Sequence, residues 1–362
     1  MQTKRRIDER LLLVFLATLV AGLVMIYSNS SMLAEARFGS HWYFLWHQVI
    51  WVVLSLVVLV IITRVDLTRL SVYSPLAFMA MLLALAAVFL MPERNGANRW
   101  LELGPMTIQP SEMFKFVLVF FLAFSLSNRK RNVADTRQLV RRYAPLVGTG
   151  LVLVLLEPDL GTTIVIFMTA LGMFFLAGAR LKHLLLALVP LAATAAVVVF
   201  GLGYKKARVL DYLSAVMDPL QGSYQAKQAA LTLGAGGILG VGLGDGRQKL
   251  FFLPYPHTDF AFATMGEEIG MLGLMLVLSA LFYILWRGLK IASAQPDRFG
   301  FLLAAGMTLS LFINLAINIG VVTSLLPVTG LALPFFSYGG SSLLVSSAAV
   351  AVLLNLSRRV AL

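Results

Sequence analysis

One acidic residue, Asp259, lies where the chain enters a long apolar segment, directly after the sequence LPYPHT (residues 253–258). Because proline restricts the backbone, the two prolines hold the approach to this carboxylate in a defined conformation. Two interpretations are open. Either Thr258 or Asp259 caps the helix that follows, or Asp259 is a general base or a metal ligand at a membrane surface. His257, two residues earlier, belongs to the same candidate site.

A second pair of charged residues, Glu112 and Lys115, lies at the start of another apolar segment. Pro110 is typical of a first helical turn, and Glu112 suits the positive end of the helix dipole, whereas Lys115 opposes it. At 1.5 Å per residue, Lys115 lies about 7 Å below the helix start. Residues spaced i,i+3 share a face, so two interpretations remain: a structural ion pair, or binding of an anionic group such as a phosphate by Lys115.

Further candidates are residues in or beside apolar segments, where charge is unfavourable and is therefore often functional. Arg99 is suited to holding a phosphate, and Trp100 is suited to the headgroup region of a bilayer. Glu267 and Glu268 follow the candidate base by about two turns, and since adjacent helical residues point about 100° apart, at most one of them shares its face. Asp159, in an acidic Glu-Pro-Asp turn, completes the set.

The composition indicates which elements must position these residues. Of 362 residues, 59% are hydrophobic and 13% are charged, which is about half the charge of a soluble domain. We therefore predict an all-α, polytopic membrane protein of about ten transmembrane helices, with residues 1–362 forming a single domain. A span needs about 20 apolar residues. The candidates are 11–28, 45–63, 72–91, 111–127, 143–157, 161–178, 183–201, 262–286, 300–323 and 339–357.

The distribution of basic residues predicts the orientation in the membrane. If the N-terminus is inside, the inner segments carry 19 lysines and arginines and the short outer loops carry 3. This bias predicts that both termini are cytoplasmic and that residues 202–261 form one long extracytoplasmic loop. The basic excess is thus a sign of topology, and we predict no nucleic-acid partner.

A glycine-rich stretch, Gly234–Gly246, has seven glycines in thirteen residues. A nucleotide-binding loop would need a preceding strand and a following helix, and neither is predicted here. We therefore expect tight backbone packing or a close approach to a ligand. The chain has no cysteine, which rules out a disulfide or thiolate site, and the other histidines lack metal-ligand spacing.

Six motifs together resemble one family, the SEDS proteins (shape, elongation, division and sporulation), which include FtsW, RodA and SpoVE. The resemblance covers nearly the whole chain in the family's order, and residues 31–48 and 240–244 look closer to FtsW and SpoVE than to RodA, with FtsW the closest in appearance. The motifs are NRWLELGP (98–105), QPSEMFK (109–115), EPDLGT (157–162), RQKLFFLP (247–254), HTDF (257–260) and LPFFSYGGSS (333–342).

The resemblance implies a peptidoglycan glycosyltransferase that polymerises lipid II at the outer face of the bacterial inner membrane, for division or elongation of the cell wall. The reaction would invert the configuration at the anomeric carbon of the sugar, and it would release undecaprenyl pyrophosphate from the undecaprenyl-linked glycan. The implied partners are a class B penicillin-binding protein, other divisome or elongasome membrane proteins, and membrane lipid. A divalent cation, Mg²⁺ or Mn²⁺, is also associated with the family.

Residue by residue, the family's essential aspartate matches Asp259, and the acid and lysine of its cavity match Glu112 and Lys115. Ser337 and Tyr338, in the last motif, are taken as substrate-binding residues with the candidates above. The main alternative is a lipid II flippase, which would place charged sites through the membrane depth. A scaffold that only recruits the crosslinking partner is a third reading. The predicted clustering of charge at the outer face favours the enzyme.

Overall fold

A computed structural model of the protein describes residues 6–92, 98–104, 106–128, 136–196, 201, 210–212, 214, 223–247 and 256–360. This part of the chain is almost entirely α-helical, and its main helices are labelled here in chain order. They are α1 (Glu9–Phe38), α2 (Tyr43–Arg64), α3 (Leu67–Ser71), α4 (Ser74–Ala87), α5 (Pro110–Ser127), α6 (Thr136–Leu156), α7 (Leu160–Leu176), α8 (Leu181–Ala196), α9 (Tyr224–Ala235), α10 (Ala261–Ser293), α11 (Arg298–Val322) and α12 (Gly340–Ser357).

The predicted fold class, an all-α polytopic membrane protein, is confirmed. Each of the ten apolar stretches predicted from the sequence coincides with one of these helices over the described residues. Six helices, α1, α2, α5, α10, α11 and α12, are long and apolar enough to cross a membrane on their own, and α4 and α7 are shorter apolar helices. The prediction placed the end of the first helix too early, because α1 continues to Phe38.

Helix α11 is the central element, because it packs against α5, α7, α10 and α12. Its polar side chains therefore lie inside the bundle. Asn314 and Asn318 are both almost fully buried, and their i,i+4 spacing puts them on one face. A buried amide needs hydrogen-bond partners, so this face can hold neighbouring elements in place near the C-terminal end of α11.

A small hairpin leads into α5. Strands β1 (Leu101–Leu103) and β2 (Met106–Ile108) pair antiparallel, and Gly104 has the left-handed φ of 64° that favours glycine at the end of the first strand. The hairpin delivers the chain to Pro110, which opens α5 as predicted. It thereby places Arg99 and Trp100 just before the strands, close in sequence to the start of α5.

The glycine-rich stretch packs tightly against a break in α10. Gly270 has φ 65° and ψ −174°, so the helix is interrupted there. Around the break, the backbone N–H groups of Val241 and Gly242 donate to the carbonyls of Glu267 and Glu268, at 2.9 and 3.0 Å. Side chains would prevent this approach, and the tight backbone packing expected for the glycines is thus confirmed.

Replacing Gly236 by alanine is expected to destabilise the protein. A Cβ there would lie 1.9 Å from the carbonyl oxygen of Gly266, which is backbone and cannot move aside easily. Forcing atoms into a packed site typically costs about 1–3 kcal/mol. The matched control is Gly234→Ala, in the last turn of α9, where a Cβ meets nothing within 4 Å. Thermal unfolding in detergent checks this, and equal unfolding temperatures for both variants would contradict the packing argument.

Candidate functional site

The segment that carries Asp259 is a turn just before α10. The N-cap of α10 is Phe260, whose side chain makes no capping hydrogen bond, so the N-cap residue is neither Thr258 nor Asp259. Asp259 is partly exposed. Its carboxylate lies beside Gly330, where a Cβ would come within 3.4 Å of Oδ2. Gly330 has a left-handed φ of 82°, and the loop that contains it lies next to the carboxylate.

The loop between α11 and α12 holds this segment through its backbone. The Ser337 hydroxyl donates to the carbonyl of Thr258 at 2.5 Å and accepts from the N–H of Leu333. The N–H of Tyr338 donates to the carbonyl of His257 at 2.8 Å. Both residues were predicted to bind substrate; the structure places them as supports of the Asp259 segment.

The ring of His257 is buried between aromatic side chains. Its centroid lies 4.8 Å from that of Phe44 and 5.8 Å from that of Tyr338. Burial, with a smaller contribution from Arg37, lowers the pKa of His257 to about 4. Burial likewise raises the pKa of Tyr338 to about 12. A pKa near 4 makes the imidazole of His257 a weak proton acceptor, and the hydroxyl of Tyr338 keeps its proton near pH 7, so both are poor candidates for a general base.

Glu112 and Lys115 form the ion pair that their spacing allows. Lys115 Nζ lies 2.8 Å from Glu112 Oε1, and the two side chains are only 4% and 8% exposed. They line a cavity between α5, α11 and α12. Ser310, Asn314 and Ser346 line the same cavity. Its volume of about 20 Å³ is enough for roughly one water molecule.

Helix α11 connects this cavity to the Asp259 segment. Asn314 lines the cavity, and its buried Oδ1 has no hydrogen-bond partner in the described part of the chain. One turn further, the amide of Asn318 donates to the carbonyl of Asp259 at 3.1 Å and to that of Leu331 at 2.6 Å. Asn318 thereby holds two loops together at the end of the bundle.

Arg99 and Asp159 organise the turn between α6 and α7. Arg99 donates to the carbonyls of Glu157 and Pro158, at 2.7 and 2.5 Å. Asp159 caps α7 by accepting from the N–H of Thr162 at 3.0 Å, and it also accepts from Gln109 Nε2 at 3.0 Å. At least two of the Arg99 donors are therefore engaged within the protein, and Asp159 has a structural role. Trp100, next to Arg99, is half-buried.

Glu157, in the same turn, is a buried carboxyl that sequence reasoning did not select. Among the described residues, neither carboxyl oxygen has a hydrogen-bond partner of good geometry, although the side chain of Ser111 lies close enough to act on the carboxyl. Burial raises its pKa to about 8, and the nearby Asp159 adds to the rise, while Arg99 and Ser111 act against it. Burial and the neighbouring acid therefore favour the neutral form of Glu157 at pH 7.

Protonation of Glu157 should make the stability of the protein depend on pH. In the unfolded chain this carboxyl ionises near pH 4.5, whereas in the folded protein it keeps its proton up to about pH 8. The free energy of unfolding should thus fall as the pH rises through this window. Glu157→Gln, which is always neutral, should lose this part of the dependence. Melting temperatures of both proteins between pH 5 and 8 test this, and parallel curves would contradict it.

Glu267 and Glu268 point to different partners, as expected for adjacent helical residues. Glu267 Oε1 accepts from the N–H of Arg247 at 2.8 Å, and Glu268 Oε2 accepts from the Ser28 hydroxyl of α1 at 2.5 Å. Both are buried. These contacts tie the start of α10 to the glycine-rich stretch and to α1.

The described residues offer few ligands for a metal ion. Within the described ranges, no group of three or more His, Asp or Glu side chains has metal-binding geometry. Mg²⁺ is usually held by one or two carboxylates together with water and substrate phosphates. The carboxylate of Asp259 has the ligand chemistry that such an ion needs.

Sequence reasoning missed three residues that shape the site: Asn318, Gly330 and Glu157. Asn318 is a polar residue within the predicted span 300–323, and its loop contacts depend on its place near the end of α11. Gly330 follows the sequence SLLPVT in a loop without a recognised motif. Glu157 lies two residues from Asp159 in the same Glu-Pro-Asp turn, and the sequence alone singles out only Asp159 there.

The candidate residues are carried by the ends of six helices and by the loops between them, and the long apolar helices have the length and composition needed to cross a bilayer. Fold and site together define a polytopic membrane protein whose candidate site residues gather at one end of the helical bundle. The chain belongs to the FtsW/RodA/SpoVE family, whose model, described as cell cycle protein, matches residues 9–361. The family predicted from the motifs is thereby confirmed.

Individual relatives match over nearly their whole length. The chain is 38% identical to stage V sporulation protein E of Bacillus subtilis, covering 99% of both chains. It is 37% identical to a probable peptidoglycan glycosyltransferase FtsW of Geobacter metallireducens, covering 98% of this chain and 95% of that protein.

Solved structures share the fold. A chain from a structure concerned with the coordination of polymerization and crosslinking by a peptidoglycan synthase complex matches with a TM-score of 0.79 and 29% identity, over 97% of this chain and 98% of that one. The rod shape determining protein RodA of Thermus thermophilus matches with a TM-score of 0.71 and 28% identity, over 97% of each chain.

Proposed function

We propose that this protein is a peptidoglycan glycosyltransferase that polymerises lipid II at the outer face of the bacterial cytoplasmic membrane. The observation that carries the proposal is the position of Asp259, a partly exposed carboxylate whose backbone is held by Asn318 and by the loop before α12. A general base must be held in one place and must be open to substrate. The names of the relatives supply the reaction class.

In the proposed reaction, Asp259 takes the proton from the 4-hydroxyl group of the acceptor sugar. The resulting oxygen attacks the anomeric carbon of the growing glycan chain. The bond from that carbon to the pyrophosphate oxygen breaks, and undecaprenyl pyrophosphate leaves with the bonding electron pair. This single displacement inverts the anomeric carbon. It needs one base and a stabilised leaving group.

Lys115 is the proposed partner of the pyrophosphate. A lysine buried near the start of its own helix opposes the helix dipole, and its pairing with Glu112 leaves the pair without net charge. Asn314 lines the same cavity and lies one turn from Asn318, which holds the Asp259 segment. One face of α11 thus borders both the segment that carries the base and the cavity that contains the lysine. Arg99 and Trp100 would lie at the rim.

A divalent cation, Mg²⁺ or Mn²⁺, is proposed to act with Asp259. When bound, it would neutralise charge on the pyrophosphate. Asp259 is the protein group that would hold it, because hard cations prefer carboxylate and phosphate oxygens. A class B penicillin-binding protein is proposed as the crosslinking partner, since a related solved structure concerns a synthase complex that couples polymerization to crosslinking.

The proposed orientation puts both termini in the cytoplasm and the Asp259 end of the bundle outside. The chain has no cysteine, so single cysteines report on their own position. Ser40→Cys, in the exposed turn between α1 and α2, should react with an impermeant thiol reagent added to intact cells. Ser293→Cys, exposed at the end of α10, should react only after the membrane is opened. The reverse pattern would overturn the orientation.

One experiment separates the polymerase from the flippase. Polymerisation needs no second compartment, whereas translocation does. The purified protein, in detergent with a class B penicillin-binding protein, Mg²⁺ and labelled lipid II, should therefore make glycan chains that are visible on a gel. If it makes none, while the same protein moves lipid II across liposome bilayers, the flippase is correct and the polymerase is not.

A further inference from the structure

The glycine-rich stretch exposes large apolar side chains at its tip, which comprises residues 236–243. Ile238, Leu239, Val241 and Leu243 are between 45% and 80% exposed, with Leu239 the most exposed. Residues 236–244 contain no charged or polar side chain. A contiguous apolar patch of this kind on a protein surface usually marks a contact with lipid or with another protein.

The depth of this tip in the membrane follows from α10. Between Glu268 and Arg287 the helix has eighteen residues without a charge. At 1.5 Å per residue they span about 27 Å, close to the roughly 30 Å thickness of the hydrocarbon core. Glu268 therefore lies near one boundary of the core, and Met271 and Leu272 lie just inside it.

Two hydrogen bonds fix the tip at that depth. The N–H of Met271 donates to the carbonyl of Gly237 at 3.0 Å, and the N–H of Leu272 donates to the carbonyl of Ile238 at 3.2 Å. The backbone at 237–238 therefore lies at the same membrane depth as Met271 and Leu272, the first apolar turn of α10 after the break at Gly270. Met271, Leu272 and Leu276 are themselves at least half exposed, so the tip continues the lipid-facing surface of the helix.

The backbone of the tip also suits such a place. Non-helical backbone is tolerated at membrane depth only if its polar groups are bonded within the protein. The N–H of Gly240 donates to the carbonyl of Gly236 at 2.8 Å, and those of Val241 and Gly242 donate to carbonyls of α10. Because α10 is interrupted at Gly270, its carbonyls at Glu267 and Glu268 can accept hydrogen bonds from the glycine-rich stretch. The break thus satisfies backbone polar groups of both the helix and that stretch.

We infer that residues 236–243 form a re-entrant tip whose apolar side chains lie among the lipid acyl chains, in the leaflet at the Asp259 end of the bundle. The tip thereby fixes the start of α10, and the turn that carries Asp259, at one depth relative to the bilayer surface. The inference rests on α10 crossing the membrane and is independent of the proposed reaction.

Site-directed spin labelling tests the inference directly. Leu239→Cys carries a nitroxide in the full-length protein, reconstituted in phosphatidylglycerol–phosphatidylethanolamine vesicles. Two references are matched to it: Leu276→Cys on the lipid-facing side of α10, and Ser40→Cys in an exposed turn. The ratio of oxygen to nickel-chelate collisions at position 239 should approach that at 276 and exceed that at 40 several-fold.

A ratio at position 239 equal to that at position 40 would place the tip in water and overturn the inference. Low collision rates with both reagents would overturn it as well, since they would show that protein covers the tip, for example a second copy of this chain. If Leu239→Cys does not reconstitute, Ile238→Cys on the same tip is judged by the same two criteria.

Discussion

Replacing Asp259 by alanine is expected to reduce lipid II polymerisation by about 100- to 10,000-fold, the usual contribution of a general base. The carboxylate lies in a turn whose backbone is held by Asn318, Ser337 and Tyr338. Those bonds involve backbone carbonyls, which the alanine variant keeps, so the variant should fold and bind its proposed partner as the wild type does. Glycan synthesis from labelled lipid II measures the loss.

The matched control is Asp245→Ala, an exposed acid in the glycine-rich stretch. It removes the same charge from the same long loop and should leave turnover unchanged. Asp259→Asn should be as inactive as the alanine variant, because an amide keeps the shape but cannot accept the proton. Turnover near the wild-type level in either Asp259 variant would remove this residue from the mechanism.

Lys115 is expected to matter through its charge. Lys115→Met leaves Glu112 buried without its partner, and breaking a buried ion pair in this way typically costs about 3–5 kcal/mol. Loss of activity in this variant alone is therefore ambiguous. The double variant Glu112→Gln with Lys115→Met removes both charges, and it should regain most of the stability.

The double variant separates the two roles of Lys115. If the lysine binds the pyrophosphate, the double variant should fold but stay inactive, with weakened lipid II binding. If Glu112 is its only partner, the double variant should recover activity together with stability. Thermal unfolding and lipid II turnover of both single variants and the double variant decide this. An active double variant would exclude a phosphate-binding role for Lys115.

Much of the architecture followed from the sequence, because each apolar stretch needs a helix in a bilayer. The Glu112–Lys115 pair was also predictable, since both partners lie on one helix at a fixed spacing. The family followed from motifs that occur in order along the chain. Each of these features depends on residues that are close in sequence or on the composition of a segment.

The contacts that shape the site were not predictable in the same way, because their partners are distant in sequence. The amide of Asn318 reaches a carbonyl 59 residues earlier, and Ser337 reaches one 79 residues earlier. No periodicity encodes such a pairing. The same reason applies to Arg99 and Asp159, which their residue types predict to bind substrate. In the structure, Arg99 donates to two carbonyls of the turn between α6 and α7, and Asp159 caps α7. The sequence does not reveal these partners.

The two bonds of Asn318 have a consequence for the order in which the site is made during synthesis. Asp259 emerges from the ribosome first, well before the amide that holds its carbonyl and before the Leu331 carbonyl that shares that amide. Ser337 and Tyr338 follow later still. The turn with the carboxylate therefore lacks its supports until the last two helices have entered the membrane, and a nascent chain that stops before α12 has no assembled site.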